Sequence, residues 1–356
     1  MKLRGAIVLL VITTLLAASG GCAAPQKTPV RVFFAGSMII PFGELEKAYE
    51  AQHRDVDLYL EGHGSIQVIR HVTEIHELID VVVTADYALI PMLMYTAHIP
   101  QNEQPYAHWY VKFATNRLAL AYRPQSRYAS EINAENWYEI ISRPGVKLGL
   151  ADPRFDACGY RALMALQMAE KLYSQPTLFD DLITDSFKTP IRARQEDGRL
   201  IVHVPEIVET KDNTNIVLRG YSIQLINLLE SGNLDYAFEY ESVIRQHGLN
   251  LLPLPDSLNL GAEQYADQYA GVQVQLDFQR FATVKPLFNG EVIAYGVTIP
   301  TNAPHPREAE DFVAFLLGPE GQKVLQKNQQ PLIVPPQADH LDALPQSLRA
   351  LCVAMP

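Results

Sequence analysis

The sequence lacks the usual signatures of enzymes and metal proteins. It holds no C-x-x-C, no H-E-x-x-H and no close cluster of histidine and cysteine, so no resident metal site is expected. G-x-S-x-G, the phosphate-binding P-loop and the G-x-G-x-x-G fingerprint are also missing, which leaves hydrolase, NTPase and dehydrogenase readings without a motif. Basic residues are scarce. Lys and Arg total 29 against 40 acids, and the formal net charge of −11 makes nucleic acid and anionic membrane surfaces poor partners. Cysteine is scarce too. Of three, Cys22 sits near the start, and Cys158 and Cys352 are too few to argue a disulfide framework, so both are read as free thiols.

What is present is enough for two bodies with their own cores. The chain has 356 residues, 48% apolar and 19% charged. Lys2 and Arg4 open it, Ala6 to Ala18 is an apolar-dominated run, and Ser19, Gly20 and Gly21 lead to Cys22. A basic head, a short apolar stretch and small residues make a secretory signal over residues 1–21. The run is too short for a membrane span, which needs roughly 20 residues. Small residues before a cysteine resemble a lipoprotein cleavage site, although Ser19 stands where such sites usually carry leucine. Cys22 is therefore the expected lipidation site and residues 22–28 a tether to a membrane. Cleavage removes Lys2, Arg4 and no acid, which takes the formal charge from −11 to −13.

From residue 30 onward, strands and helices alternate. Val30 to Phe34, Val56 to Leu60 and Val81 to Val83 read as strands. Phe42 to His53, with Phe42, Leu45 and Tyr49 at helical spacing, reads as a helix, as do Ile66 to Leu78 and Ala88 to Tyr95. The pattern continues with strands at 118–122, 146–150, 236–240 and 292–299. Helices are expected at 159–172, 223–229, 308–317 and 320–328. Residues 176–220 give no clear pattern. The class implied is α/β, with largely parallel sheets flanked by helices.

Two serines stand at equivalent places. Ser37 and Ser65 each follow a strand and precede a helix. A helix start exposes unpaired N–H groups and about half a unit of positive charge. A hydroxyl added there makes a compact donor set for an anion, although either serine could equally be a plain N-cap. Asp156 to Arg161 forms a third loop-to-helix junction, where an acid caps a helix and Cys158 has no activating partner in sequence. The strand Tyr236 to Glu241 places Tyr236, Phe238 and Tyr240 on one face and Ala237, Glu239 and Glu241 on the other, which reads as a solvated acidic face. His63 lies inside the G-H-G-S turn, and its proximity to Ser65 is no dyad.

These stretches resemble one family. VFFAGSMIIPFGEL (32–45), GSIQVIR (64–70), DYALIP (86–91), DACGYRAL (156–163), LESGNLDYAFEYESVIRQH (229–247), AYGVTIPTNAPHP (294–306) and FVAFLLGPEGQKV (312–324) occur in order. Together they are similar to the archaeal-type molybdate/tungstate-binding proteins, the type II periplasmic binding proteins of ABC importers. The last stretch is common to many binding proteins, and the combination of AGS, GSIQ, DACGYR and LDYAFEYES is the specific part. The resemblance implies a two-lobed clamp. Lobe one would be 29–115 plus 291–345, lobe two 116–290, and 346–356 a tail.

It also implies function. The protein would be a monomeric extracytoplasmic lipoprotein, not an enzyme and without cofactor. It would bind molybdate or tungstate and hand it to a permease and its ATPase. Gly36, Ser37 and Ser65 would contact the oxyanion through backbone N–H and hydroxyl groups, Asp156, Ala157 and Cys158 would form the opposing loop, and Tyr240 would donate its phenol. Asp156 could also approach the molybdenum or tungsten directly. A second carboxylate of the family corresponds to Ser222, which could instead donate a hydrogen bond to an oxo group; Glu239 or Glu241 could substitute for the carboxylate, although strand geometry gives no reason to prefer this. His63 would add a donor when protonated. The rival readings are the same fold taking sulfate or an organic anion, and a secreted hydrolase built on Ser37 or Ser65.

Overall fold

The computed structural model describes residues 27–278 and 286–355. The expected signal segment, Cys22 and most of the tether lie outside the described residues.

The first strand, β1 (Thr28–Ala35), runs through a single 3₁₀ turn into helix α1 (Ile39–Glu50). Phe42, Leu45 and Tyr49 are the buried stripe of α1, and Tyr49 meets Phe312 edge-on at 5.3 Å between ring centres. Each such side chain, fully buried, stabilises by roughly 1.5–3 kcal/mol. Strand β2 (Val56–His63) is longer than its alternation predicts, because it pairs in parallel with β1 along its whole length, from Thr28 opposite Val56 to Ala35 opposite His63. Helix α2 (Ser65–Thr73) is shorter than predicted. Ile75 and Leu78, which would have continued its apolar stripe, are exposed, and the chain turns at His76 with φ 60°. Strand β3 (Val81–Thr84) is buried throughout, and the segment after it makes one wide turn at Ile90–Met94.

After β4 (Val111–Thr115) the chain leaves this body and begins β5 (Leu118–Tyr122) in the other. There β6 (Leu148–Ala151) leads into α3 (Ala157–Tyr173), buried along most of its length. The unreadable stretch 176–220 forms two helical turns, the hairpin β7 (Arg192–Glu196) and β8 (Arg199–Val204), and β9 (Ile216–Arg219). The hairpin turns at Asp197–Gly198, both at positive φ. Then come α4 (Ile223–Glu230), β10 (Tyr236–Tyr240), β11 (Asn250–Pro253), β12 (Val272–Leu276) and β13 (Leu287–Asn289). The chain returns through β14 (Ala294–Thr298), α5 (Pro306–Leu317) and α6 (Pro319–Lys327) to β15 (Leu332–Ala338). Residues 346–356, expected as a tail, hold a helical turn at Gln346–Arg349 and an edge strand, β16 (Val353–Ala354), paired with β15.

The α/β class stands, with helices flanking sheets. One lobe carries the seven-stranded sheet β16-β15-β4-β14-β3-β1-β2, and the other carries a five-stranded sheet, β11-β5-β10-β6-β9, and a four-stranded one, β13-β12-β8-β7. The pairing is mixed rather than mostly parallel. β1 is parallel to β2 and β3, but β14 is antiparallel to both β3 and β4, and β10 is antiparallel to β5. The reason is connectivity. A strand that re-enters a sheet after a long excursion need not follow the right-handed crossover that keeps neighbours parallel.

Strand β10 corrects the expectation of a solvated acidic face. All five of its residues are buried, Glu239 with 0% exposure. It sits in the centre of its sheet, with α3 and α4 packed against it. A central strand covered on both faces has no solvent side.

Candidate functional site

The ends of β1 and β2, the starts of α2, α3 and α4 and the end of β10 meet in the cleft between the lobes. On one wall, Gly36 follows β1. A side chain there would press on Ile223 of α4 at 3.3 Å, so the two lobes already touch at this point. Ser37 is buried and its Oγ lies 2.9 Å from the hydroxyl of Tyr295 on β14. Tyr295 also accepts from the Asn116 side chain at 3.2 Å, so three polar groups tie the serine to the crossing segment. Ser65 opens α2, and its Oγ accepts from the Ala85 N–H at 2.9 Å. The hydroxyl proton of Ser65 remains available to donate.

The helix α2 start differs from expectation in one respect. The N–H groups of Ile66 and Gln67 donate to the carbonyl of Phe155 in the opposite lobe, at 3.1 and 3.4 Å. Gly64 makes this approach possible, because a Cβ there would overlap the Phe155 carbonyl. Part of the donor set assigned to an anion is thus used to join the lobes.

On the other wall, Asp156 caps α3. Its Oδ1 accepts from the Cys158 N–H at 2.9 Å and its Oδ2 from the Ser222 N–H at 2.8 Å. Burial pushes its carboxyl up, against the pull of those two amides and of Arg161. Ala157 and Cys158 are fully buried at the helix start. The Cys158 thiol points at the Phe238 carbonyl, 3.5 Å away, and burial raises its pKa, so it is an inert thiol. Ser222 donates from Oγ to Glu239 Oε1 at 3.1 Å, and it therefore touches both Asp156 and Glu239. Tyr240 is buried, and its hydroxyl accepts from Arg161 Nη1 at 2.7 Å, leaving its own proton free to donate.

All eight residues singled out from sequence, Gly36, Ser37, Ser65, Asp156, Ala157, Cys158, Ser222 and Tyr240, lie at or beside the contact between the lobes. Three more were missed. Arg161 of α3 crosses to the other lobe, donating to the Ala85 carbonyl at 2.7 Å and lying 3.3 Å from Asp86 Oδ2. Tyr160 donates to the same Asp86 oxygen at 2.5 Å. Asp86, which both reach, is the third. Arg161 had a signal, a lone cation in the apolar helical run 157–169. His63 needs correction. Its ring stacks on His71 with centres 4.8 Å apart, and burial and His71 lower its pKa, so it is a neutral member of an aromatic stack rather than a protonated donor.

The hydrolase reading finds no machinery. Ser37 is bonded to a tyrosine and Ser65 to a backbone N–H, with no histidine bonded to either hydroxyl among the described residues. The described residues also hold no cluster of three or more metal-binding side chains, and no helix among them is long and apolar enough to cross a membrane.

Comparison with known proteins gives the family and the fold. The family model described as bacterial extracellular solute-binding protein matches residues 30–328. An uncharacterized solute-binding protein of Methanoculleus marisnigri is 38% identical, over 92% of this chain and 88% of the relative. The molybdate/tungstate-binding protein WtpA of Thermococcus kodakarensis is 36% identical, over 93% of this chain and 92% of its own. Among solved structures, the periplasmic molybdate-binding protein of Azotobacter vinelandii has a TM-score of 0.53 at 14% identity, covering 85% of this chain and 99% of its own. The sulfate-binding protein SubI of Mycobacterium tuberculosis has a TM-score of 0.55 at 13% identity, covering 86% and 88%. Identities this low speak for the shared fold alone.

Proposed function

Because the chain belongs to the bacterial extracellular solute-binding protein family, a family of binding proteins and not of enzymes, we propose that it captures tungstate or molybdate between its lobes for an ABC importer. The observation that carries this reading is the convergence of buried donors on one cleft. Ser37 and Ser65 offer hydroxyls from one lobe, and Tyr240, with its oxygen already engaged by Arg161, offers a phenol from the other. A tetrahedral dianion has only acceptor oxygens, so a site made of donors suits it. A protonated phosphate would need an acceptor as well, and its affinity should suffer. The named ligands of the Thermococcus relative, similar over nearly the whole chain, support the same choice.

In this reading the lobes close on the anion and present a joint surface to the permease and its ATPase. The protein acts as a monomer outside the cytoplasmic membrane, held by lipid on Cys22. Titration calorimetry with tungstate, molybdate, sulfate and phosphate tests the ligand. Tungstate or molybdate should bind tightest, and equal or tighter sulfate binding would overturn the assignment. The anchor is tested by detergent-phase partitioning. The parent should enter the detergent phase and Cys22→Ser should not.

A further inference from the structure

Glu239 is fully buried, and only one of its oxygens is satisfied. Oε1 accepts two hydrogen bonds, from the Tyr240 N–H at 2.7 Å and from Ser222 Oγ at 3.1 Å. Oε2 is buried and has no partner among the described residues. Among the described residues no lysine, arginine or histidine pairs with this carboxyl. The charged and titratable groups around it are Asp156 and Cys158 from the start of α3, its neighbour Tyr240, and Tyr295 from β14. Arg161 is engaged with Tyr240, Ala85 and Asp86.

An ionised Glu239 would therefore add an unpaired negative charge near Asp156 in a buried interior, which is costly. A neutral carboxyl avoids this. Two donors on Oε1 mark it as the carbonyl oxygen, so the proton belongs on Oε2. The result is a buried O–H donor with no acceptor among the described residues, and a buried donor of this kind calls for a ligand acceptor.

We propose that Glu239 receives the oxyanion as a neutral carboxylic acid, donating its Oε2 proton to one of the anion's oxygens, so that anion binding is coupled to one proton. This rests on the reading of the cleft as an oxyanion site. Burial, with Asp156 adding to it, pushes the Glu239 carboxyl up to about 8, so the proton is in place at neutral pH. Above that range the proton must be taken from solvent as the anion binds. No oxidant, metal or co-reactant is involved, only a proton moving from water to Oε2.

The test is calorimetric titration of tungstate into the mature chain in two buffers of different ionisation enthalpy. At about pH 9 the parent should take up close to one proton per anion, and at about pH 6.5 almost none. Glu239→Gln keeps an N–H where the O–H stood. It should take up no proton at either pH and bind tungstate within about threefold of the parent at the lower one, whereas Glu239→Ala should lose about tenfold or more. Parent binding without proton uptake at the higher pH, or Glu239→Gln as weak as Glu239→Ala, overturns the proposal while leaving the oxyanion reading intact. A parent that binds no oxyanion at all overturns both.

Discussion

The backbone N–H of Ile66 donates to the carbonyl of Phe155 at 3.1 Å, joining the start of α2 in one lobe to the loop before α3 in the other. Gly64 sits beneath that contact, where a methyl group would overlap the Phe155 carbonyl. Gly64→Ala should therefore oppose closure without disturbing either core. With saturating tungstate its radius of gyration by small-angle scattering should stay larger than the parent's, and affinity should fall by about tenfold or more. An equally compact, equally tight variant would mean that the loop yields to the methyl.

Arg161 is the second link between the lobes. One guanidinium holds Tyr240, the Ala85 carbonyl and Asp86 at once, and a planar fork suits that task where a single ammonium does not. Arg161→Lys keeps the charge but should leave the Tyr240 hydroxyl without its fixed donor. Affinity for tungstate should drop by about tenfold, with a change in melting temperature of a few degrees at most. Parent-like affinity would remove Tyr240 positioning from the account.

Ser37 and Ser65 should separate in stability though not in binding. Each truncation to alanine removes a donor to a charged ligand, worth roughly 1.5–3 kcal/mol of affinity. Ser65→Ala also strands the buried Ala85 N–H, costing about 1–3 kcal/mol of stability, while Ser37→Ala leaves Tyr295 bonded to Asn116. Calorimetric titration paired with thermal unfolding of the apoprotein reads both. Binding within twofold of the parent in both variants would sink the assignment of these serines.

Much of this arrangement is legible in the sequence. The stripe Phe42, Leu45 and Tyr49 gives α1 its buried face, and Ser37 and Ser65 follow neighbouring strands of one sheet and so gather at one edge of it, while Asp156 occupies the same kind of strand-to-helix junction in the other lobe. Glu239 was misplaced because alternation along one strand does not reveal that helices cover both faces of its sheet. Asp86 was missed because its partners Tyr160 and Arg161 are far along the chain, and only closure of the lobes brings them together. The hairpin 192–204 was unreadable for another reason. Arg192 to Glu196 is an edge strand with mostly exposed polar residues, and it has no apolar face to show.

Glu239 also sets a pH dependence for the apoprotein. Its folded pKa, about 8, lies above the ordinary glutamate value of about 4.3, so between these values the folded state holds a proton that the unfolded state releases. The stabilising contribution is full below about pH 4.3 and is lost as pH rises through about 8, a fall on the order of a few kcal/mol. Glu239→Gln should flatten that slope. Chemical denaturation of both proteins from about pH 5 to 9 measures it, and parallel curves would mean that Glu239 is ionised in the fold.

Asp156 decides how the anion is held. Both of its oxygens accept from backbone amides, Oδ1 from Cys158 and Oδ2 from Ser222, so the carboxylate fixes the start of α3 and the position of Ser222 together. Asparagine is as good a helix cap as aspartate. Here it is not equivalent, because its amide nitrogen would face one of two N–H donors and one strap must be lost. Asp156→Asn should therefore lose about 1–3 kcal/mol of stability. If Asp156 acts by fixing the loop, the same displacement affects any tetrahedral anion, and tungstate and sulfate affinities should change by the same factor. If its carboxylate instead bonds the metal centre, the amide is a poorer ligand for so hard a centre. Tungstate would then weaken strongly while sulfate, whose sulfur does not expand its shell this way, would not. With both oxygens already bonded to the backbone, the expected outcome is the common factor. A loss confined to tungstate and molybdate, measured by competitive titration, would show that Asp156 reaches past its amides to the metal.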